Sequence, residues 1–422
     1  MGDNWSKARI EVIAEKVACG PFGSSIKVST FVNSGVPVIS GQHLHGTRLQ
    51  DGEYNFITSE HADKLSNANV YPGDIVFTHA GNIGQAAVIP DTSRYKRYVL
   101  SQRQFYLRPD RSIIAPEFVA YYFHSPPGRH KLLANTSQTG VPSIARPVSY
   151  LKSIEIPIPP FPEQRAIAHI LGSLDDKIEL NRRMNETLES MARAIFKSWF
   201  VNFDPVHAKA EGRDTGLPEE IAALFPDSFE DSELGRIPSG WVVKKIGYVT
   251  EFAYGKALKV SDRQPGNIPV FGSNGLVGFH NEALVNGPGI IIGRKGNPGI
   301  VTWTYNDFFP IDTTFYVKRT GIISSLYYLF YALKAQNLPS LSADSAVPGL
   351  NRNLAYMNNL LIPSENVLSV FDEKVEPLFQ KIQANSLEND FLTSLRDTFL
   401  PKLISGELRV PDAEKLIEEA GL

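Results

Sequence analysis

Val141-Pro142-Ser143-Ile144-Ala145-Arg146-Pro147-Val148-Ser149-Tyr150 and Val347-Pro348-Gly349-Leu350-Asn351-Arg352-Asn353-Leu354-Ala355-Tyr356 are two copies of one segment, and each runs on to an Ile-Pro, at Ile156-Pro157 and Ile362-Pro363. Working outward, Phe105-Tyr106 matches Phe315-Tyr316, Gly81-Asn82-Ile83-Gly84 matches Gly296-Asn297-Pro298-Gly299, and Trp5 and Ile10 match Trp241 and Ile246. On the other side Lys177-Ile178, Asn181, Asn185 and Leu188 match Lys381-Ile382, Asn385, Asn389 and Leu392. The offset between copies drifts from 236 to 204 along the chain, so the copies differ by loop insertions in the first half. A period of about half the chain means a duplication and not a solenoid, whose units are roughly 20–45 residues. Each copy reads as a globular domain followed by a helix.

The helices carry heptads. Leu171, Leu174, Ile178, Asn181, Asn185, Leu188, Ala192, Ile195 and Trp199 follow steps of three and four, as do Leu368, Phe371, Val375, Leu378, Ile382, Asn385, Asn389, Leu392, Arg396, Phe399 and Leu403. Steps averaging about 3.5 residues keep one seam facing a partner helix, and the simplest partner for each is the other. Both seams hold two asparagines, which cost stability but set register, because only an aligned partner satisfies the amide. The first helix is expected over residues 163–199, after the stiff stop Pro159-Pro160-Phe161-Pro162, with a length of roughly 55 Å at 1.5 Å per residue. Pro377 falls inside the second pattern, where it either kinks the helix or marks its start.

The globular blocks pattern as strands between Gly/Pro turns, at Val36-Pro37-Val38-Ile39, Asp74-Ile75-Val76-Phe77, Gln104-Phe105-Tyr106-Leu107, Gly289-Ile290-Ile291-Ile292 and Thr313-Thr314-Phe315-Tyr316-Val317. Short helices are expected over residues 116–123 and 324–334. The expected fold class is therefore α+β: two similar globular domains, related by a pseudo-two-fold repeat, separated by a long antiparallel coiled coil. The expected boundaries are 1–158 and 238–363 for the globular domains, 159–203 for the first helix, 204–237 for an acidic connector clipped to the surface with one short helix near 218–224, and 364–422 for the second helix and a tail with one more short helix.

Charge is sorted along these boundaries. The chain of 422 residues has a net charge of −3, but residues 1–158 hold 16 basic against 12 acidic side chains and residues 238–363 hold 11 against 6. The first helix is neutral, and the connector and the last segment are each net −6. Residues 91–152 alone hold 10 basic and 3 acidic residues. Local basic excess in both globular blocks suits phosphate-facing surfaces.

Several chemistries are excluded or unsupported. No run of about 18 apolar residues exists, so no membrane helix is expected, and residues 1–9 lack the apolar stretch of a secretory signal. Cys19 is the only cysteine, which excludes an intramolecular disulfide and fits a reducing cytoplasm. There is no G-x-x-x-x-G-K-[ST] and no G-x-G-x-x-G after a strand. His43 and His45 have no carboxylate at metal spacing, so no metal and no cofactor is expected. The paired carboxylates Asp175-Asp176 and Glu219-Glu220 read as solvated faces. The weight falls on binding rather than catalysis.

Three stretches carry a family resemblance. They are Pro159-Pro160-Phe161-Pro162-Glu163-Gln164-Arg165-Ala166-Ile167-Ala168 with Leu174-Asp175-Asp176-Lys177-Ile178-Glu179-Leu180-Asn181; Ile195-Phe196-Lys197-Ser198-Trp199-Phe200-Val201-Asn202-Phe203-Asp204-Pro205; and Leu395-Arg396-Asp397-Thr398-Phe399-Leu400-Pro401-Lys402-Leu403-Ile404-Ser405-Gly406-Glu407-Leu408. Together they resemble the central and distal conserved regions of type I restriction-modification specificity subunits. Residues 346–352 resemble a segment of their target-recognition domains, and Asn202 stands where the family often has Asp. The resemblance implies a subunit without catalysis of its own. It implies two recognition domains that each read half of a bipartite double-stranded DNA site, and paired helices that set the spacer. The implied partners are two methyltransferase subunits and, through the complex, restriction subunits. The alternatives are a DNA-modifying or nuclease enzyme with an unrecognised active site and a scaffold without base readout. Cleavage or methylation by the chain alone would mark the first, and absence of sequence preference in the complex the second.

Base edges are read by Arg, Lys, Asn and Gln, while more numerous contacts hold phosphates. In the first domain the expected DNA-binding residues are Asn82, Arg94, Lys96, Arg97, Arg103, Gln138 and Arg146, with His79 just ahead of the Gly81-Asn82 turn. In the second they are Asn274, Arg294, Lys295, Asn297, Asn351 and Arg352. Arg146 and Arg352 are equivalent in the repeat, as are Asn82 and Asn297, so these pairs fit phosphate or structural roles better than reading different bases.

Overall fold

Ser6–Arg9 pairs antiparallel with Glu155–Ile158, and Val242–Lys245 pairs antiparallel with Asn359–Ile362. Each globular portion thus begins and ends on one two-stranded ribbon, with the isoleucine of the repeat's Ile-Pro, Ile156 or Ile362, in its closing strand. The computed structural model describes residues 5–23, 25–137, 140–343, 348–419 and 421. The chain divides into two units, Met1–Leu180 with Glu388–Leu422, and Asn181–Leu387. The boundary cuts both long helices in their middle, so each unit holds half of each helix as well as one globular portion.

The main sheet of the first unit has the order Ala14–Cys19, Gln104–Pro109, Ile75–Thr78, Ala86–Val88, all antiparallel. The second unit repeats that order with Thr250–Tyr254, Thr314–Arg319, Gly289–Gly293 and Val301–Thr304. The strands are β-branched and aromatic runs whose side chains are buried on both faces, as at Ile75, Val76 and Phe77. A smaller sheet accompanies each. Val36–Ile39 pairs antiparallel with Asn55–Ile57 and parallel with Tyr98–Leu100, and Ile268–Gly272 pairs antiparallel with Gly275–His280 and parallel with Phe309–Pro310. The first unit adds Asn69–Val70 at the far edge. Helices Pro116–His124 and Leu326–Ala335 cover the main sheets, the first wedging Phe123 edge-on against Phe77 at 5.2 Å. Each globular portion is α+β.

The long helices span Phe161–Phe200 and Glu365–Ser405. The first starts two residues earlier than the sequence suggests, because Pro162 is tolerated in a first turn, where its missing N–H has no partner to lose. The second runs unbroken through Pro377. That residue is exposed, whereas Leu368, Phe371, Val375 and Phe379 are buried along the opposite face. Burial of that face outweighs one lost helical hydrogen bond, so Pro377 is not the helix start. All thirteen expected seam positions are buried or half-buried: Leu171, Leu174, Ile178, Asn181, Asn185, Leu188, Ile195, Leu378, Ile382, Asn385, Asn389, Leu392 and Phe399. The pairing is antiparallel within each unit. In the first, Asp175 meets Arg396 at 2.8 Å and Lys177 meets Glu388 at 3.4 Å. In the second, the Asn385 side-chain amide donates to Asn185 Oδ1 at 2.8 Å, and Phe196 lies 6.3 Å from Phe371.

The connector is more than a surface clip. Besides the expected short helix, at Glu219–Ala222, it forms the helix Asp204–Ala210 and the hairpin Phe229–Ser232/Gly235–Pro238. Val206, Phe225 and Ile237 are buried in the second unit's core, with Phe225 edge-on to Trp199 at 5.1 Å. Its acidic side chains hide three core anchors spaced too widely to show a period. The tail forms one helix, Val410–Glu419.

Candidate nucleic-acid interface

The turns Gly81-Asn82-Ile83-Gly84 and Gly296-Asn297-Pro298-Gly299 have the same backbone. Gly81 and Gly296 both have φ of 87°, and Gly84 and Gly299 have φ of 86° and 80°, a left-handed region that favours glycine. Each turn docks on the segment quoted at the outset. Gly81 N–H donates to Pro142 C=O at 3.0 Å and Ile144 N–H to His79 C=O at 2.8 Å. The corresponding bonds of the second unit are Gly296 to Pro348 at 3.2 Å and Leu350 to Arg294 at 2.9 Å. A side chain at Gly299 would lie 2.4 Å from the Pro339 nitrogen, so glycine is required there twice over.

In the first unit the turn edges an open cleft of about 390 Å³, lined by residues that include Ser40, Gln42, His45, Thr78, Ala80, Asn82, Gln85, Arg103 and Gln104. The interior is cross-linked: Thr78 donates to Gln85 Oε1 at 2.9 Å, and Ser101 donates to the buried Gln104 carboxamide. Asn82 and Arg103 are exposed at the rim, and the Arg103 guanidinium approaches the position a Gly81 Cβ would take. Beside it the His79 imidazole contacts the Gln102 carbonyl and the Phe105 ring, and burial holds its pKa below the usual histidine value, so it is neutral at pH 7.

In the second unit Asn297 donates to Asn274 Oδ1 at 2.5 Å. Arg294 stands where His79 stands in the first unit, and it donates to the Asp312 carbonyl at 2.7 Å, the equivalent of the Gln102 carbonyl. Its guanidinium lies 4.9 Å from the centre of the Tyr254 ring, and that of Arg352 lies 4.8 Å from the same ring. Arg352 also donates to the Phe252 carbonyl at 3.3 Å. Lys295 is exposed next to this group, with its backbone bridged to Gly349.

The structure thus gathers Asn82 and Arg103 at one cleft, and Asn274, Arg294, Lys295, Asn297 and Arg352 around the equivalent turn. Arg94, Lys96 and Arg97 do not line the cleft. Arg94 stacks on Tyr95 at 5.3 Å, and Lys96 donates to the Asp91 carbonyl at 3.3 Å. The Arg97 guanidinium is held by Asp63 at 2.7 Å and Asn69 at 2.8 Å, a structural pairing made across 34 and 28 residues of sequence. Asn351 is a helix cap: its Oδ1 accepts the N–H groups of Asn353 and Leu354 at 3.1 and 3.2 Å. Arg146 is exposed with φ of 48°, a conformation uncommon for a residue with a side chain. Gln138 lies outside the described residues. Sequence reading missed Gln42, Thr78, Gln85, Gln104 and Tyr254. Extending the repeat through Val36-Pro37 and Ile268-Pro269 aligns Gln42 with Asn274, and that alignment is the signal that finds it.

A family model described as the type I restriction modification DNA specificity domain matches residues 3–190 and 238–363. Among curated relatives, the type I restriction enzyme HindI specificity subunit of Haemophilus influenzae is 26% identical over 431 residues, covering 82% of this chain and 90% of that protein. The type I restriction enzyme MjaIX specificity subunit of Methanocaldococcus jannaschii is 26% identical over 445 residues, covering 97% and 94%. Among solved structures, the type I restriction-modification system S subunit from M. genitalium shares the fold with a TM-score of 0.59 at 21% identity, covering 95% of this chain and 96% of that one.

Proposed function

The chain belongs to the type I restriction-modification DNA specificity family, and from that membership we propose that it is the DNA-recognition subunit of such a system, each unit reading one half of a bipartite double-stranded site. The observation that carries this reading is the glycine–asparagine turn, present twice on one backbone and ringed by different polar side chains. A constant frame holds the DNA in one register, and the variable ring reads two different half-sites. The paired helices set the number of unread base pairs between the halves and dock two methyltransferase subunits, with restriction subunits joining through that complex. The chain performs no chemistry of its own and works in the cytoplasm. Among the described residues no group of three or more His, Cys, Asp or Glu is arranged to hold a metal, and no helix is long and apolar enough to cross a membrane.

Methylome sequencing of a host carrying the chain with its methyltransferase subunit tests the reading. The expected result is a two-part motif with an unread spacer. Methylation without sequence preference, or methylation by this chain alone, overturns it.

A further inference from the structure

Shared backbone bonds fix a residue-by-residue equivalence between the two turns and their surroundings. Ser101 N–H donates to Ile39 C=O at 2.9 Å, and Ile311 N–H donates to Phe271 C=O at 2.9 Å. This sets Ser40 against Gly272 and Gln42 against Asn274. The turn bonds already described set Ala80 against Lys295 and Asn82 against Asn297, and the strand register sets Arg103 against Thr313.

Within that frame the two carboxamide positions are kept, while the cation changes sides. Residues 79–80 and 103 are joined by the bond from His79 N–H to Arg103 C=O at 2.9 Å; Arg294 N–H makes the corresponding bond to Thr313 C=O at 2.9 Å, and Lys295 N–H donates to the same carbonyl at 3.1 Å. In the first unit the pair across this link is Ala80 and Arg103, and both line the cleft together with Ser40. In the second unit it is Lys295 and Thr313. The Thr313 hydroxyl lies 3.7 Å from where a Gly272 side chain would begin, which places it on the same side of the link as Arg103. The neighbouring Arg294 is already held by Asp312 and Tyr254. Each reading surface therefore offers a rim cation at this link, donated from opposite strands.

We infer that the pairs Ala80/Arg103 and Lys295/Thr313 are specificity-determining: the cation reads the O6/N7 edge of a guanine in the major groove, and moving it across the link changes which base of the half-site is read. The chemistry is that of Arg or Lys against the two acceptors of guanine, while a small partner opposite leaves the base edge room to approach. A phosphate contact would need only charge, and either strand would serve equally. The inference rests on the DNA-recognition reading above.

The experiment uses the full chain assembled with its methyltransferase subunits and compares methylomes of hosts carrying wild type, Ala80→Lys/Arg103→Thr, the reciprocal Lys295→Ala/Thr313→Arg, and Arg103→Ala. Each exchange is expected to alter one position of its own half-site and leave the other half and the spacer intact. Arg103→Ala is expected to admit other bases at one position, with discrimination there falling roughly tenfold to a hundredfold. An unchanged motif methylated less at every site makes the cations phosphate contacts and overturns the inference, leaving the DNA-recognition reading in place. Selection from random half-site DNA by the purified complexes reads preference without dependence on expression. Recovery of the wild-type half-site by an exchange variant, or of no preference at all in that half, also overturns it. A wild-type complex that yields no two-part motif brings down the underlying reading instead.

Discussion

Asp175 and Phe379 occupy the same position of the repeat, 204 residues apart, yet one is a carboxylate in a polar network and the other a phenyl ring in an aromatic cluster. Asp175 accepts from Tyr121 at 2.7 Å, Thr47 at 3.1 Å and Arg396 at 2.8 Å. Phe379 lies 4.9 Å from Tyr327 and 5.0 Å from Trp303, and Ala192 stands where Arg396 would be. The equivalent of Tyr121 is Tyr331, whose hydroxyl is buried without a hydrogen-bond partner. The joint between long helix and sheet-covering helix is thus polar in one unit and aromatic in the other. Arg396→Ala should cost about 1–2 kcal/mol, since the remaining donors still satisfy Asp175. Phe379→Ala should cost about 3–5 kcal/mol through cavity formation. Urea unfolding followed by circular dichroism checks the order of the two.

Asn185 and Asn385 should be coupled. Asn385→Ala and Asn185→Ala each remove the same 2.8 Å amide bond, so the double variant should be less destabilised than the sum by about 1 kcal/mol. A double-mutant cycle showing additivity would deny the pairing.

The Asp372 carboxyl, which accepts from the Ser325 hydroxyl, is pushed by burial to a pKa of about 6. A carboxyl whose folded pKa lies above its unfolded value binds more protons in the folded state. Its contribution to stability is therefore fully present at low pH and is lost as pH rises from about 4 through about 6. Asp372→Asn should remove that slope and stabilise the chain at pH 8 by about 1–2 kcal/mol. Thermal unfolding across pH 4–8 measures both.

Arg294 and Arg352 share the Tyr254 ring, so a Tyr254→Ala chain keeps both charges but loses their placement. Binding by the assembled complex should weaken with an unchanged dependence on salt. Loss of a phosphate contact in Arg294→Ala should instead lower the slope of log K against log salt by about 0.9. Fluorescence anisotropy over a salt series separates the two behaviours.

Removing one heptad from each long helix should change the number of unread base pairs and leave both half-sites as they are. Methylome sequencing reads both quantities at once, and an unaltered spacer rejects the helices as its determinant.

The duplication was legible because turns and seams need particular residues. Gly81, Gly84, Gly296 and Gly299 announce positive φ, and steps of three and four announce the helix pair. What escaped has no local signature. Ser6–Arg9 finds its partner at Glu155–Ile158, some 150 residues on, and the connector's core anchors Val206, Phe225 and Ile237 obey no period. At the interface, basic character alone did not separate Arg103 at the cleft rim from Arg97, because Asp63 and Asn69 are distant in sequence. Gln42 was overlooked for the opposite reason: a carboxamide between Gly41 and His43 stands out only beside Asn274.

The first unit is discontinuous, and this orders events on the ribosome. Its core takes Phe399, Leu400, Leu403 and Ile404 from the second long helix and Ala413 from the helix after it. During synthesis the globular portion made first must therefore wait, with part of its apolar surface bare, until the chain has emerged as far as Ala413. The second unit is one continuous stretch, Asn181–Leu387, and has all its residues in hand earlier. The usual sequence, in which the N-terminal domain folds first, is reversed, and a chaperone that shields nascent chains would find its longest-lived target in residues 1–180.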